Sequence, residues 1–201
     1  MATFATIRGN FFARGFDYLN DAGAGLTRTK ALANEAYLNI CDEQHWSFLL
    51  ATAAGAAPLT IADLGSIESV VDTLTERKLH PLPEDELRDA YPVVTQTGAP
   101  EFYFLDDTIV RTFPVGGTLS VRYRKVPVEL VADADVPLLP GRFHPLIVHY
   151  MVREAGAEDA PEAAAAAAQK LEVGLTKMLE WEMGRAGARH YQRQTAANGD
   201  S

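Results

Sequence analysis

Two stretches of helical periodicity, each with a single apolar stripe, stand near the two ends of this chain, and residues 58–140 between them have the texture of strands. A helix with one apolar stripe must cover it against another element. The two helical stretches are therefore expected to pack on each other, with the strand-like middle as an insertion between them.

The first stretch runs over 26–57. Thr27 or Thr29 can cap it by accepting a backbone N–H bond. Leu32, Ala36 and Ile40, with Ala33, Tyr37 and Cys41, recur at helical spacing. The periodicity fades near Gly55, and Pro58 closes it. Before it, residues 1–25 mix Phe4, Phe11, Phe12, Phe16 and Tyr18 with four glycines. That mixture is too apolar for a loose tail and too glycine-rich for a long helix, so we read an arm that packs on something, a neighbouring chain included.

The middle begins with LTIADL, IESVVDTL and ERKLHPL, short segments punctuated by Gly65 and Pro81. PEDELRDAY suits one or two helical turns, with Pro83 at the start and acids in the first turn. From Ala99 the pattern is that of an antiparallel meander. Asp106-Asp107 makes the first turn and Val115-Gly116-Gly117 the second. Leu119, Val121 and Tyr123 share one face of the third strand, with Arg122 and Arg124 opposite.

Helical signals return over 141–187. Pro145 is tolerated in a first turn, and Gly156 marks a stop. Glu158-Asp159-Ala160-Pro161 then opens a long helix, with Asp159 as its cap. The run Ala163–Ala168 has high helix propensity and no bulk, which suits close approach of a second helix. The expected helical core takes Leu32, Ala36, Tyr37, Ile40, Trp46 and Phe48 from the first stretch. Leu146, Ile147, Leu175 and Leu179 supply the rest. Residues 188–201 lack an apolar stripe and are expected to form an extended tail. The fold class is thus α+β: a helical bundle of one long N-terminal and two C-terminal helices, a β-rich antiparallel insertion, an arm and a tail.

Charge and composition narrow the function. The 201 residues carry a net charge of −9 and are 47% hydrophobic, a normal apolar fraction that argues against a disordered chain. Arg8, Arg14, Arg28 and Lys30 against Asp17 and Asp21 leave residues 1–30 at +2. Arg185, Arg189 and Arg193 against Asp200 leave residues 184–201 at +2, so the body between them holds −13. Such a body repels duplex DNA. No apolar run approaches the roughly 20 residues that span a bilayer. The opening segment lacks a signal-peptide core. One cysteine excludes a disulfide framework and Cys₂ or Cys₄ zinc sites. A protein made in a reducing compartment is expected.

Motifs for chemistry are sparse. Val115-Gly116-Gly117-Thr118 lacks the lysine and helix of a phosphate cradle. No G-x-S-x-G elbow occurs. Cys41 and His45 stand at i, i+4, which could make a ligand pair, but zinc needs three or four ligands. A core cysteine is the preferred reading. His144 and His149, five apart, point to different sides of a helix. Glu84-Asp85-Glu86 lacks a calcium-loop spacing, and Glu180 and Glu182 flank Trp181 without forming an acid–base dyad. The expectation is no catalytic residues, no metal and no cofactor.

Several strings in fixed order carry a family likeness. They are Leu32–Tyr37 with Trp46–Leu49, Gly98–Tyr103, Phe113-Pro114-Val115, Leu119–Arg124, Pro127–Leu130, the acidic-proline link Asp133–Pro140 and Phe143–Val148. Together they span roughly residues 26–183, and the chain resembles the head-to-tail adaptor proteins of tailed bacteriophages. The six-alanine run and the aromatic N-terminus depart from that likeness. The resemblance implies a homo-oligomeric ring, usually of twelve subunits, in the neck of the virion. Such a ring sits on the portal protein, receives the next neck protein (a stopper or tail terminator) and extends the channel for genomic DNA without sequence-specific binding. It also implies a C-terminal segment that docks on the portal, for which Arg185, Arg189, His190, Tyr191 and Arg193 are the candidates. Arginine and tyrosine are common interface anchors. The alternatives are another neck component, a stopper or tail-completion protein, or a small metal-dependent hydrolase using Cys41, His45 and dispersed carboxylates. The expected location is the virion neck, after synthesis in the host cytoplasm, with no membrane partner.

Overall fold

A computed structural model describes residues 1–19, 23–91 and 95–197, with side chains described except at Ala90 and over 186–197. The chain forms two compact units. One is built from Met1–Ser47 and the chain from Glu129 onward; the other is Phe48–Val128. The mixed α+β class expected from the pattern is the class observed.

In the first unit the N-terminal segment forms helix α1 (Phe4–Phe11), which packs within its own subunit. Thr3 caps it, its hydroxyl accepting from the Thr6 N–H at 3.3 Å. Two more of its free N–H groups donate to the carbonyls of Asp135 (2.8 Å) and Asp133 (3.1 Å). Phe4, Ile7 and Phe11 are buried, and Phe11 stacks on Phe16 at 4.7 Å between ring centroids. Arg8, buried as well, forms an ion pair with Asp133. Phe4, Phe11 and Phe16 of the supposed arm are thus core residues of this unit, while Phe12 is half-buried and Tyr18 exposed.

Helix α2 (Ala24–Asp42) starts before the expected caps. Thr27 and Thr29 lie inside it, their hydroxyls donating back to the carbonyls of Gly23 and Gly25. The helix ends at Asp42, not near Gly55. Trp46 terminates it by folding back, its indole N–H donating to the Ile40 carbonyl at 2.7 Å. Asn34 clamps the opposite strand of chain at two points: its amide donates to the Leu130 carbonyl (3.0 Å) and accepts from the Leu130 N–H (2.8 Å).

Helices α4 (His144–Asp159) and α5 (Pro161–Ala197) follow one another across Ala160. Phe143 meets Trp181, Leu146 meets Gly174, and Gly156 meets Ala164, so the pair is an antiparallel hairpin. Pro161 takes the first position of α5, where its missing N–H is no loss. The carboxylate of Asp159 accepts from the Tyr18 hydroxyl at 2.9 Å. Helix α5 continues through the segment expected to be extended: the backbone of 188–197 is helical. Gly184 and Gly187 weaken a helix by only about 1 kcal/mol each, and the surrounding Arg, Ala and Gln residues are good helix formers.

The second unit contains two four-stranded sheets. One has the order β1 (Leu50–Ala56), β8 (Thr118–Lys125), β3 (Leu64–Asp72), β4 (Arg77–Lys78). The other has β2 (Leu59–Thr60), β7 (Ile109–Phe113), β6 (Phe102–Asp106), β5 (His80–Pro81). Val70, Leu119 and Val121 from the first sheet and Val110 from the second share one buried cluster with Ile61 and Leu79. The alanine-rich run Leu50–Ala56, read as helix, is a strand because it pairs along its whole length with β8. Helix propensity of alanine yields here to tertiary pairing.

The β6–β7 hairpin turns at Asp106-Asp107 as expected, with Asp107 at φ 56°. The third strand of the supposed meander does not pair with β7. The chain crosses to the other sheet after Pro114, through Gly116 (φ 145°) and Gly117 (φ 87°), conformations that favour glycine. A Cβ on Gly117 would also stand 2.9 Å from the Asp72 carboxylate. Asp72, buried, closes this corner by accepting from the Thr75 hydroxyl (2.6 Å), the Thr75 N–H (3.2 Å) and the Thr118 N–H (3.1 Å). These bonds, the Thr75 hydroxyl first, hold its carboxyl below the ordinary value. Helix α3 (Glu84–Ala90) begins after Pro83 with three acids in its first turn, and Glu84 pairs with Arg88 at 2.6 Å.

Candidate functional site

In the first unit, a groove lined by basic and apolar residues lies on the α4–α5 hairpin. Its foundation is the close approach at Gly174. The side chain of Leu146 occupies the place where a Cβ at 174 would stand. Without a side chain there, the outer faces of α4 and α5 meet in a groove of about 480 Å³. Phe143, Pro145, Leu146 and Val173 provide its apolar lining, and Arg142, His149, Lys170 and Lys177 its charged or titratable one. On α5, Lys170, Val173, Gly174 and Lys177 fall on one stripe at i, i+3, i+4 and i+7.

No acid lines this groove. Among the described residues, neither Lys170 nor Lys177 has a carboxylate within ion-pair distance. Arg14 donates to Nδ1 of His149 at 3.0 Å, so that nitrogen carries no proton. Partial burial, and then the charges of Arg14 and Lys170, hold the His149 imidazole below its ordinary value.

One end of the hairpin is organised by Trp181. Arg142 lies over its ring at 4.5 Å and Arg185 at 4.7 Å, while Phe143 meets it edge-on at 5.6 Å. Beside it, Glu182 accepts from both the backbone N–H (3.0 Å) and the hydroxyl (2.9 Å) of Ser47. Glu182 is thus an anchoring acid, a role that spacing on α5 alone does not reveal.

Of the candidate tail residues, Arg185 is described and stacks on Trp181. The side chains of Arg189, His190, Tyr191 and Arg193 lie outside the described residues. Of the expected helical core, Ala36, Tyr37, Ile40, Trp46, Leu146 and Ile147 are buried, and Leu32, Leu175 and Leu179 are half-buried. Phe48 is half-buried and belongs to the β-rich unit. The sequence does not mark Asn34 and Gly174, and it shows Glu182 only as a carboxylate beside Trp181, not as an anchor for Ser47. Their partners lie far away along the chain, and no local signal marks them.

Cys41 and His45 are not brought together: Cys41 is buried in α2 and His45 is exposed beyond its end. Burial pushes the Cys41 thiol up to about 12. Among the described residues no group of three or more His, Cys, Asp or Glu side chains could hold a metal ion. No helix among them is long and apolar enough to cross a membrane. His144, buried, accepts from the Ala2 N–H at Nδ1 (3.2 Å) and donates from Nε2 to the Leu139 carbonyl (2.8 Å), a structural role.

Fold and surface together define an α+β protein in which a helical unit, assembled from both ends of the chain, is interrupted by a two-sheet insertion and carries a basic hairpin face on an acidic body. A family profile described as SU10 adaptor protein matches residues 6–198. The chain belongs to that family, and it is a phage adaptor protein. No curated protein matches it.

Proposed function

We propose that this chain is a structural component of the virion neck: an adaptor ring that joins the portal protein to the next neck protein and extends the DNA channel. The observation that carries this reading is the family match across residues 6–198. The physical chemistry agrees with it. A body of −13 does not adhere to phosphate, which suits a passage that DNA must slide through. The portal contact is assigned to the end of α5, where Arg185, Arg189 and Arg193 give the chain its C-terminal positive charge and His190 and Tyr191 stand among them. The subunits form one homo-oligomeric ring of twelve, with no catalytic turnover and no bound cofactor. A stopper or tail-completion protein would have less helix than a chain whose last helix alone has 37 residues.

Electron microscopy of the protein mixed with its cognate portal tests the proposal. The expected result is a ring of added density on the portal. A chain lacking residues 184–201 is expected to fold and to leave the portal bare. Normal assembly of that truncation would remove the docking role from this segment. Stoichiometric zinc or manganese in the purified protein, with turnover, would favour the hydrolase reading instead.

A further inference from the structure

We infer that the basic groove between α4 and α5 receives the acidic α3 helix of a second copy of this chain. The inference rests on the reading of the chain as a multi-subunit adaptor, and it names the surfaces that would meet. The groove is lined by Arg142, Lys170 and Lys177 over an apolar floor of Phe143, Leu146 and Val173. Val173 is 53% exposed, and the two lysines are exposed without an ion pair among the described residues. Positive charge concentrated on a chain of net −9 selects an acidic occupant. The floor selects one with carbon to bury, which a phosphate backbone does not offer. A nucleic acid would also meet the repulsion of the acidic body.

The sequence itself supplies such an occupant. On α3, Glu84 is taken by Arg88, but Asp85, Glu86 and Asp89 are exposed and unpaired among the described residues. Glu158, Asp159 and Glu162 also fall within five positions, but Asp159 is engaged by the Tyr18 hydroxyl, whereas the three acids of α3 have no partner among the described residues. Two different patches that complement each other across copies make a heterologous contact, which repeats from subunit to subunit and closes into a ring where the rotation allows.

The test mixes ¹⁵N-labelled and unlabelled full-length protein at concentrations up to millimolar and joins adjacent amines and carboxylates with a zero-length carbodiimide. Mass spectrometry then reads the linked peptides. The expected result is heavy–light links from Lys170 or Lys177 to Asp85, Glu86 or Asp89. Links within one copy only, links from these lysines to another surface, or no links at all overturn the inference. So does duplex DNA that shields the two lysines from acetylation when no association between copies is seen.

Charge reversal provides the second measurement. Lys170→Glu with Lys177→Glu, or Asp85→Lys with Glu86→Lys, is expected to weaken association between copies about tenfold, and all four changes together to restore it. Circular dichroism checks that each variant is folded, since all four sites are exposed. The portal mixture separates the two readings. If the wild-type ring forms and the groove variant assembles equally well, the groove assignment falls and the adaptor role stands. If links form between copies but nothing joins the portal, the reverse holds.

Discussion

Leu146 fills the space that a side chain on Gly174 would need, so the two helices of the hairpin touch at a point where one residue has volume only because the other has none. Gly174→Ala would gain about 1 kcal/mol of helix propensity but overpack Leu146 at a cost of about 1–3 kcal/mol. The expected net effect is a loss of roughly 1 kcal/mol. In a Leu146→Ala background the same change is expected to stabilise. Urea unfolding of the four proteins in this cycle measures the coupling, and a change of equal sign in both backgrounds would refute the packing account.

Asp72 stabilises the corner between β3 and β8 in its charged form. Its carboxyl is held below the ordinary value, first by the Thr75 hydroxyl. The folded state therefore releases this proton more readily than the unfolded chain. The resulting stability is present above the ordinary carboxylate value of about 4 and is lost as the pH falls through the folded one. Asp72→Asn is expected to lower stability at pH 7 by about 1–3 kcal/mol, because three donors lose a charged acceptor. The gap between wild type and variant should close in acid. A gap that stays constant down to pH 2 would contradict the linkage.

His149 works with the same sign but in a higher range. Its imidazole is held below the ordinary value by partial burial and by Arg14 and Lys170, so the folded state disfavours the charged ring. Stability should fall as the pH drops below about 6.5, where the unfolded chain takes up the proton first. His149→Gln should remove that part of the pH dependence. Arg14→Gln should move the ring's titration upward in an NMR experiment. An unchanged titration would exclude Arg14 as a cause.

Cys41 should be chemically silent in the folded protein. It is buried, and its thiol is pushed up to about 12, so almost no thiolate exists at pH 8. Labelling by a thiol reagent is expected to follow opening of the helical unit and to accelerate with denaturant. Rapid stoichiometric labelling in buffer would show that α2 does not bury this residue.

What could be read from the chain was whatever local chemistry encodes. Pro161 at a helix start, the acids after Pro83 and the Asp106-Asp107 turn act within a few residues of themselves, and all three appear where expected. The run Leu50–Ala56 misled because alanine favours helix locally, while its register with β8 is set by residues seventy positions away. The separation of β7 from β8 into different sheets likewise depends on the positive-φ glycines of the crossing, which also fit a simple turn. In the sequence the groove exists only as the spacing of Lys170, Val173, Gly174 and Lys177 along α5. Its depth belongs to Leu146, one helix earlier.

The division of the helical unit between the two ends of the chain imposes an order on its birth. Synthesis proceeds from the N-terminus, and domains generally fold as units once they are complete. The β-rich unit has all its strands by Val128. Helix α2 by then has its apolar stripe but not α4, against which it packs. The insertion is therefore finished while α1 and α2 still wait, and it keeps the two halves of the helical unit from meeting until α4 and α5 leave the ribosome. A nascent chain arrested with residues up to 140 outside the ribosome should hold a protease-resistant middle with a cleavable N-terminal flank.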